Sequence, residues 1–254
     1  MLEIEGLTKQ FGGLSAVTAL DLTIRAGDIV GLIGPNGAGK TTVFNLITGF
    51  LRPTGGRVTF EGRVITGKGP HDIAARGLVR TFQVINICPE LTVLENIVLS
   101  CHLRPRVGFF ETVLGTPSGR RKDKAILDRS HAILEFVGLQ NMVGLTAGRL
   151  AHGHKRILGI AVALAADPKL LMLDEPLSGM NAQEVNETMA LIRRLREKGL
   201  TVLLIEHNMR ATMILCQRIA VLNFGRKIAE GSPEEIKGNN EVIQAYLGTD
   251  GYAA

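Results

Sequence analysis

The chain is poor in the features that would place it in a membrane, outside the cell or on a metal. Its longest uncharged apolar run, Ile157 to Ala166, falls far short of the roughly 18 to 20 residues a bilayer-spanning helix needs. Any membrane association is therefore expected to come through a partner. The opening MLEIEGL has acids where a secretory signal carries basic residues before an apolar core, so the chain is expected to stay in the cytosol. Cys88, Cys101 and Cys216 are odd in number, unclustered and set in apolar or helical-looking stretches, as reduced buried thiols are. Aromatic residues make up 4% of the sequence, and the basic stretch 104–124 has too few of them for a nucleic-acid surface. There is no internal repeat and no low-complexity segment.

What is present describes a folded enzyme-sized core. With 254 residues, 45% of them hydrophobic, the chain can bury a substantial interior as one large or two small domains. Twenty-nine Lys and Arg against 24 Asp and Glu make it mildly basic, which favours an anionic neighbour without specifying one. LDLTI (20–24) alternates like a half-buried strand, whereas DIVGLIG (28–34) is continuously apolar like a strand covered on both faces; together they predict a mixed sheet. RVTFEGRVI (57–65) predicts a hairpin turning at Glu61 and Gly62.

Helical spacing takes over from Thr92, whose pairing with Glu95 predicts a capping box. Ile126, Ile133, Leu134 and Val137 share a helical face, and Ile157 to Ala166 reads as a buried helix closed before Asp167 and Pro168. Between them, 104–124 reads as a surface insertion. KLLMLD (169–174) and TVLLIE (201–206) read as strands flanking a helix from about Ala182 to Lys198, capped by Asn181 and Glu184, a βαβ rhythm. IAVLNFGRKIAEG (219–231) predicts a last strand pair, and Ser232, Pro233 and Glu235 the start of a terminal helix.

The chemistry centres on GPNGAGKT (34–41), which fits GxxxxGK[ST] between a buried strand and a helical stretch, as the motif requires. Gly34, Gly37 and Gly39 would let the backbone N–H groups of the loop curl around phosphate oxygens, with Pro35, which has no N–H, Asn36 and Ala38 completing the loop, and the helix start at Lys40, Thr41 and Thr42 adds its polarity. Lys40 would neutralise the β and γ phosphates, and the Thr41 hydroxyl would coordinate Mg²⁺. LLMLDE (170–175) supplies a buried strand ending in Asp174, for the Mg²⁺ shell, and Glu175, placed to take a proton from the attacking water. TVLLIEH (201–207) leaves His207 at a strand end, where parallel α/β sheets bind ligands, and a γ-phosphate contact is its expected role.

With these motifs in this order, the chain resembles the nucleotide-binding subunits of ABC transporters over essentially its whole length. The resemblance implies an α/β fold: a P-loop NTPase (RecA-like) core with an antiparallel β subdomain and an inserted α-helical subdomain. Residues 1–87 and 156–254 would form the core and β subdomain, and 88–155 the helical part. It implies that Phe11 in KQFGG stacks on adenine, and that Gln83 in RTFQ senses Mg²⁺ and the attacking water while coupling to membrane subunits near ICPELTVLENI (87–97). LAHGH (150–154) stands where the family's signature, usually LSGGQ, reaches the γ-phosphate held by the other subunit of a head-to-tail dimer. Ala151 replaces the serine, a loss of about 1.5 to 3 kcal/mol if no other donor serves; Gly153 keeps the close backbone approach.

Importers of branched-chain amino acids are similar in detail, with L[SA]YG at the signature, Asn in the D-loop (here SGMN, with Asn181), an ending like AYLG (245–248), and an insertion like GFFETVLGTPSGRRKDK. This chain departs at His152, for tyrosine, and His154, for glutamine or aspartate. An HxH pair with no third ligand nearby argues poorly for zinc. The implied function is ATP hydrolysis that powers an importer, at the cytoplasmic face of the inner membrane as a peripheral subunit. The implied partners are permease subunits, a second ATPase subunit, identical or related, and, indirectly, a periplasmic or extracellular solute-binding protein, with no nucleic acid. Two other readings of the same motifs are the ATPase of a lipid or lipopolysaccharide exporter and a soluble ABC ATPase acting on nucleic acid. The absence of a tandem cassette or coiled-coil arm speaks against the second.

Overall fold

A computed structural model of the chain describes residues 1–81, 87–102 and 117–247. The fold divides into two compact units, one made of Met1–Arg80, Lys169–Pro176 and Ile192–Ala254, the other of Thr81–Pro168 and Leu177–Leu191.

Two sheets build the first unit. In the antiparallel sheet, β1 (Leu2–Phe11) lies between β2 (Leu14–Ile24) and β4 (Gly55–Phe60), with β5 (Arg63–Val64) at the edge. Its alternation is as read: Leu20, Leu22 and Ile24 are buried while Asp21 and Thr23 are exposed. The hairpin also turns where predicted, with left-handed φ of 51° at Glu61 and 70° at Gly62, the pairing that a tight two-residue turn requires.

The second sheet runs β10 (Arg226–Gly231), β9 (Arg218–Asn223), β3 (Ile29–Ile33), β8 (Thr201–Ile205), β7 (Leu170–Asp174), β6 (Leu78–Arg80). All pairs are parallel except β10 with β9. Every residue of β3, β7 and β8 is buried, which is why those stretches read as unbroken apolar runs. The expectation that β2 and β3 share one mixed sheet does not hold. They belong to different sheets, and the mixing comes from β10 instead. One core joins the two sheets, with Phe44 from α1 (Lys40–Ile47) packed among Leu7, Leu20, Leu32 and Met172. After α1 and the short α2 (Pro70–Ala74), the unit closes through α7 (Met209–Leu215), α8 (Pro233–Lys237) and α9 (Asn240–Leu247).

The second unit is helical. It packs α3 (Val93–His102), α4 (Pro117–Val137) and α5 (His152–Ala165), burying Ile97, Leu134, Val137, Leu158 and Ala161. It also holds the start of α6 (Ala182–Glu197). The residues 117–124, read as part of an insertion, form the first turns of α4; 104–116 lie outside the described residues. Cys88 departs from the buried-thiol expectation: it is exposed in the loop before α3, where Asn96 bonds both its N–H (2.7 Å) and its carbonyl (3.0 Å). Cys101 and Cys216 are buried, and burial, with Glu206 nearby, pushes the Cys216 thiol up to about 12, leaving it inert at neutral pH.

The predicted caps are in place. Glu95 Oε2 accepts the Thr92 N–H at 2.7 Å, and Ser232 and Glu235 close a reciprocal box at α8. Both glutamates titrate below their ordinary 4.5 because these backbone hydrogen bonds favour the carboxylate. Their contribution is therefore present above pH 4.5 and lost as pH falls through the lowered values. Melting curves taken from about pH 6 down to about pH 3 should show a shallower acid limb for Glu95→Gln/Glu235→Gln than for the wild type.

Candidate functional site

The loop 34–39 leaves β3 at its C-terminal end and enters α1, all within the first unit. Gly34 has φ of 150°, and a side chain there would overlap the Leu222 carbonyl on β9. Only glycine lets the loop run this close to its neighbouring strand. Gly37, at φ 78°, faces open space on the exposed side. The N-terminus of α1 has no side-chain cap and no acid in its first turn. Its leading N–H groups and positive dipole end are thus left for an anion.

Lys40 is 6% exposed, and its Nζ donates to the loop's own carbonyls, Gly34 at 2.7 Å and Pro35 at 2.9 Å. Burial holds it below the ordinary lysine value, while the charges of Glu175 and Asp174 pull the other way. A depressed lysine costs stability while protonated, and stability rises as pH climbs from its folded value toward 10.5. A polyphosphate beside Lys40 would reverse that cost.

β7 ends at Asp174, and the next residue turns sharply: Glu175 takes φ of 48°, unusual for a non-glycine, while its N–H bonds the Ile205 carbonyl at 2.9 Å. Its carboxylate meets His207, with Nε2 3.0 Å from Oε1. Because the carboxylate only accepts, Nε2 carries the hydrogen. Asp174 is held by Arg80 at 2.6 Å, both side chains 5% exposed, and Arg80 also donates to Asn45 Oδ1 at 2.6 Å above the Phe44 ring. Phe11 ends β1 as a 47% exposed residue, with the Lys9 ammonium 5.0 Å from its ring centroid.

The first unit therefore gathers Lys40, Asp174, Glu175 and His207 around one loop. Sequence reasoning missed Arg80, Asn45 and Tyr246. Arg80 begins the RTFQ stretch, where a cation just after an apolar strand invited a buried partner. Tyr246 belongs to AYLG; burial pushes its phenol up to about 12, against a hydrogen bond with the Gly34 backbone that pulls it down. Gln83 lies outside the described residues. The exposed Thr41 and the Asp174 carboxylate are hard oxygen donors suited to a Mg²⁺ ion that arrives with phosphate and keeps its waters. Among the described residues, no three His, Cys, Asp or Glu side chains are grouped as a metal cluster would require.

In the second unit, Leu150 and Ala151 precede α5, and His152, Gly153 and His154 form its first turn. Ala151 stands at the helix cap without a side-chain bond to offer. His152 Nε2 lies 3.2 Å from the Ser178 carbonyl, in the loop leading to α6.

The chain as a whole is similar to known proteins. Residues 17–178 match the family model described as ABC transporter, and 226–252 match that of the branched-chain amino acid ATP-binding cassette transporter. The high-affinity branched-chain amino acid transport ATP-binding protein BraF of Pseudomonas aeruginosa is 44% identical over 249 residues, covering 98% of both chains. Its counterpart LivG of Escherichia coli is 45% identical over the same length and coverage. Among solved structures, a nucleotide-free ATP-binding cassette from an ABC transporter superposes with a TM-score of 0.84 at 32% identity, covering 97% of this chain and 98% of that one. The ADP conformation of an ATP-binding cassette gives 0.85 at 31%, covering 98% of each.

Proposed function

The chain belongs to the ABC transporter family, as an ATPase cassette of the branched-chain amino acid type, and from that premise we propose that it powers uptake of branched-chain amino acids or a related small polar solute. One observation supports the catalytic part of this reading: Glu175 Oε1 lies 3.0 Å from His207 Nε2, in the same unit as Lys40 and Asp174, whose charges and that of Glu175 act on one another.

ATP enters with its adenine on Phe11 and its phosphates in the loop 34–42, where they draw Lys40 away from the Gly34 and Pro35 carbonyls. Thr41, Asp174 and Gln83 would hold a Mg²⁺ ion, whose chemistry there would be neutralisation of phosphate charge. Glu175 accepts the proton of the attacking water, and His207 fixes the carboxylate through Nε2 while facing the γ-phosphate. The signature turn, Ala151 to His154, meets the γ-phosphate of a second ATPase subunit, identical or related. ATP favours the closed pair over the open one, and hydrolysis restores the open state. The chain contains no helix, among the described residues, long and apolar enough to cross a membrane. It works as a peripheral subunit at the cytoplasmic face, docked on permease subunits through the Gln83 region and 87–97, and is linked through them to a solute-binding protein.

Lys40→Ala tests the binding step. Losing a charge-assisted contact costs about 1.5 to 3 kcal/mol, so ATP affinity should fall roughly 10- to 150-fold. A fluorescent ATP analogue reads this directly. Unchanged affinity would remove Lys40 from the phosphate site.

A further inference from the structure

The turn that opens α5 and the loop before α6 meet within the second unit. His152, the first residue of α5, directs Nε2 at the Ser178 carbonyl, 3.2 Å away. Its ring also packs on Gly179, where an added Cβ would lie 2.9 Å from Nε2 and 3.1 Å from Cδ2, at a φ of 75° that already favours glycine. The next residue, Gly153, is buried against Glu184, whose carboxylate a side chain at 153 would overlap. Glu184 in turn caps α6: its Oε2 accepts the Asn181 N–H at 2.9 Å, and its own N–H donates to Asn181 Oδ1 at 3.0 Å. Two consecutive signature residues thus hold the loop 178–181, His152 at its start and Gly153, through Glu184, at its end.

We propose that His152 is a positioning residue that ties the signature turn to the loop 178–181, so that both present themselves as one piece to the nucleotide of the opposing subunit. The inference rests on the composite-site reading above. A backbone carbonyl only accepts, so Nε2 must carry the hydrogen, and that atom is spent within the subunit. The imidazole therefore acts through Ser178 and Gly179. It fixes the turn where Ala151, lacking a hydroxyl, fixes nothing. A leucine at 152 would fill a similar volume without the donor, whereas the amide of a glutamine reaches a similar position with one.

A hydrogen bond of this kind is worth about 0.5 to 1.5 kcal/mol, roughly a 2- to 12-fold effect. His152→Leu should lower kcat and weaken ATP-dependent pairing in the Glu175→Gln background by about 3- to 10-fold. The affinity of the isolated subunit for a fluorescent ATP analogue should not change, because its own phosphate loop lies in the other unit. His152→Gln should recover both properties to within about twofold. Without nucleotide, amide hydrogen exchange across 178–184 should rise in His152→Leu and stay at the wild-type level in His152→Gln. That arm reads the tie alone. Absence of pairing in Glu175→Gln with His152 intact would count against the composite site, not the tie. Unchanged exchange and kcat in His152→Leu would overturn the proposal, as would equal losses in Leu and Gln, which would make the ring itself the phosphate contact.

Discussion

Glu175→Gln is expected to leave ATP binding at the wild-type level while cutting turnover by about 10²- to 10⁴-fold, the range of a lost general base. The substitution keeps the shape of the side chain and an oxygen for His207 Nε2, 3.0 Å away. It removes only the capacity to take a proton. The left-handed turn at Glu175, with its N–H fixed to Ile205, sets where the side chain leaves the strand, so the amide should occupy the same place. Nucleotide then binds, closes the pair and stays. Gel filtration with ATP should show a stable dimer containing intact triphosphate, and phosphate release should be barely measurable. Equal phosphate release by the variant and the wild type would show that another group activates the water.

Arg80→Leu should be the most damaging substitution for stability among the residues around the site. Arg80 and Asp174 are each 5% exposed and 2.6 Å apart. Burying the pair brings little net gain, because desolvation opposes the attraction, but removing one partner takes from the other a close buried counter-charge. Breaking a buried pair by removing one partner costs about 3 to 5 kcal/mol. At about 2 to 4 °C per kcal/mol for a chain of this size, the melting temperature should fall by roughly 6 to 20 °C. Arg80→Leu/Asp174→Leu should recover most of the loss, since no buried carboxylate then lacks its guanidinium. Magnesium with a nonhydrolysable ATP analogue should narrow the deficit of the single variant by placing a cation beside Asp174. A melting temperature within 2 °C of the wild type, measured by calorimetry without nucleotide, would mean that Asp174 does not depend on Arg80.

The elements that carried local signals were legible before the structure. Continuous apolarity marked β3, β7 and β8 because both faces of those strands are covered. Thr92, Asn181 and Ser232 announced helix starts because a cap needs only three residues of context. Glycine spacing marked the phosphate loop for the same reason. Pairing between distant segments left no such trace. Nothing local says that β2 and β3 part into different sheets, or that Arg80, 94 residues before Asp174 in the chain, closes on it. The tie between His152 and Ser178 was equally hidden, because a histidine in a motif invites a reading about ligands and the carbonyl it meets belongs to another loop. The resemblance supplied the roles of Phe11, Gln83 and the signature, which the residues alone would have left as core, amide and turn.

The most direct test is made on the assembled transporter. Proteoliposomes containing the chain with its permeases and second ATPase subunit should couple phosphate release to uptake of a branched-chain amino acid presented by the solute-binding protein. Glu175→Gln should suppress both together while ATP still binds. Phosphate release and uptake that continue at the wild-type rate in Glu175→Gln, or ATPase activity stimulated by nucleic acid and indifferent to the permeases, would contradict the account.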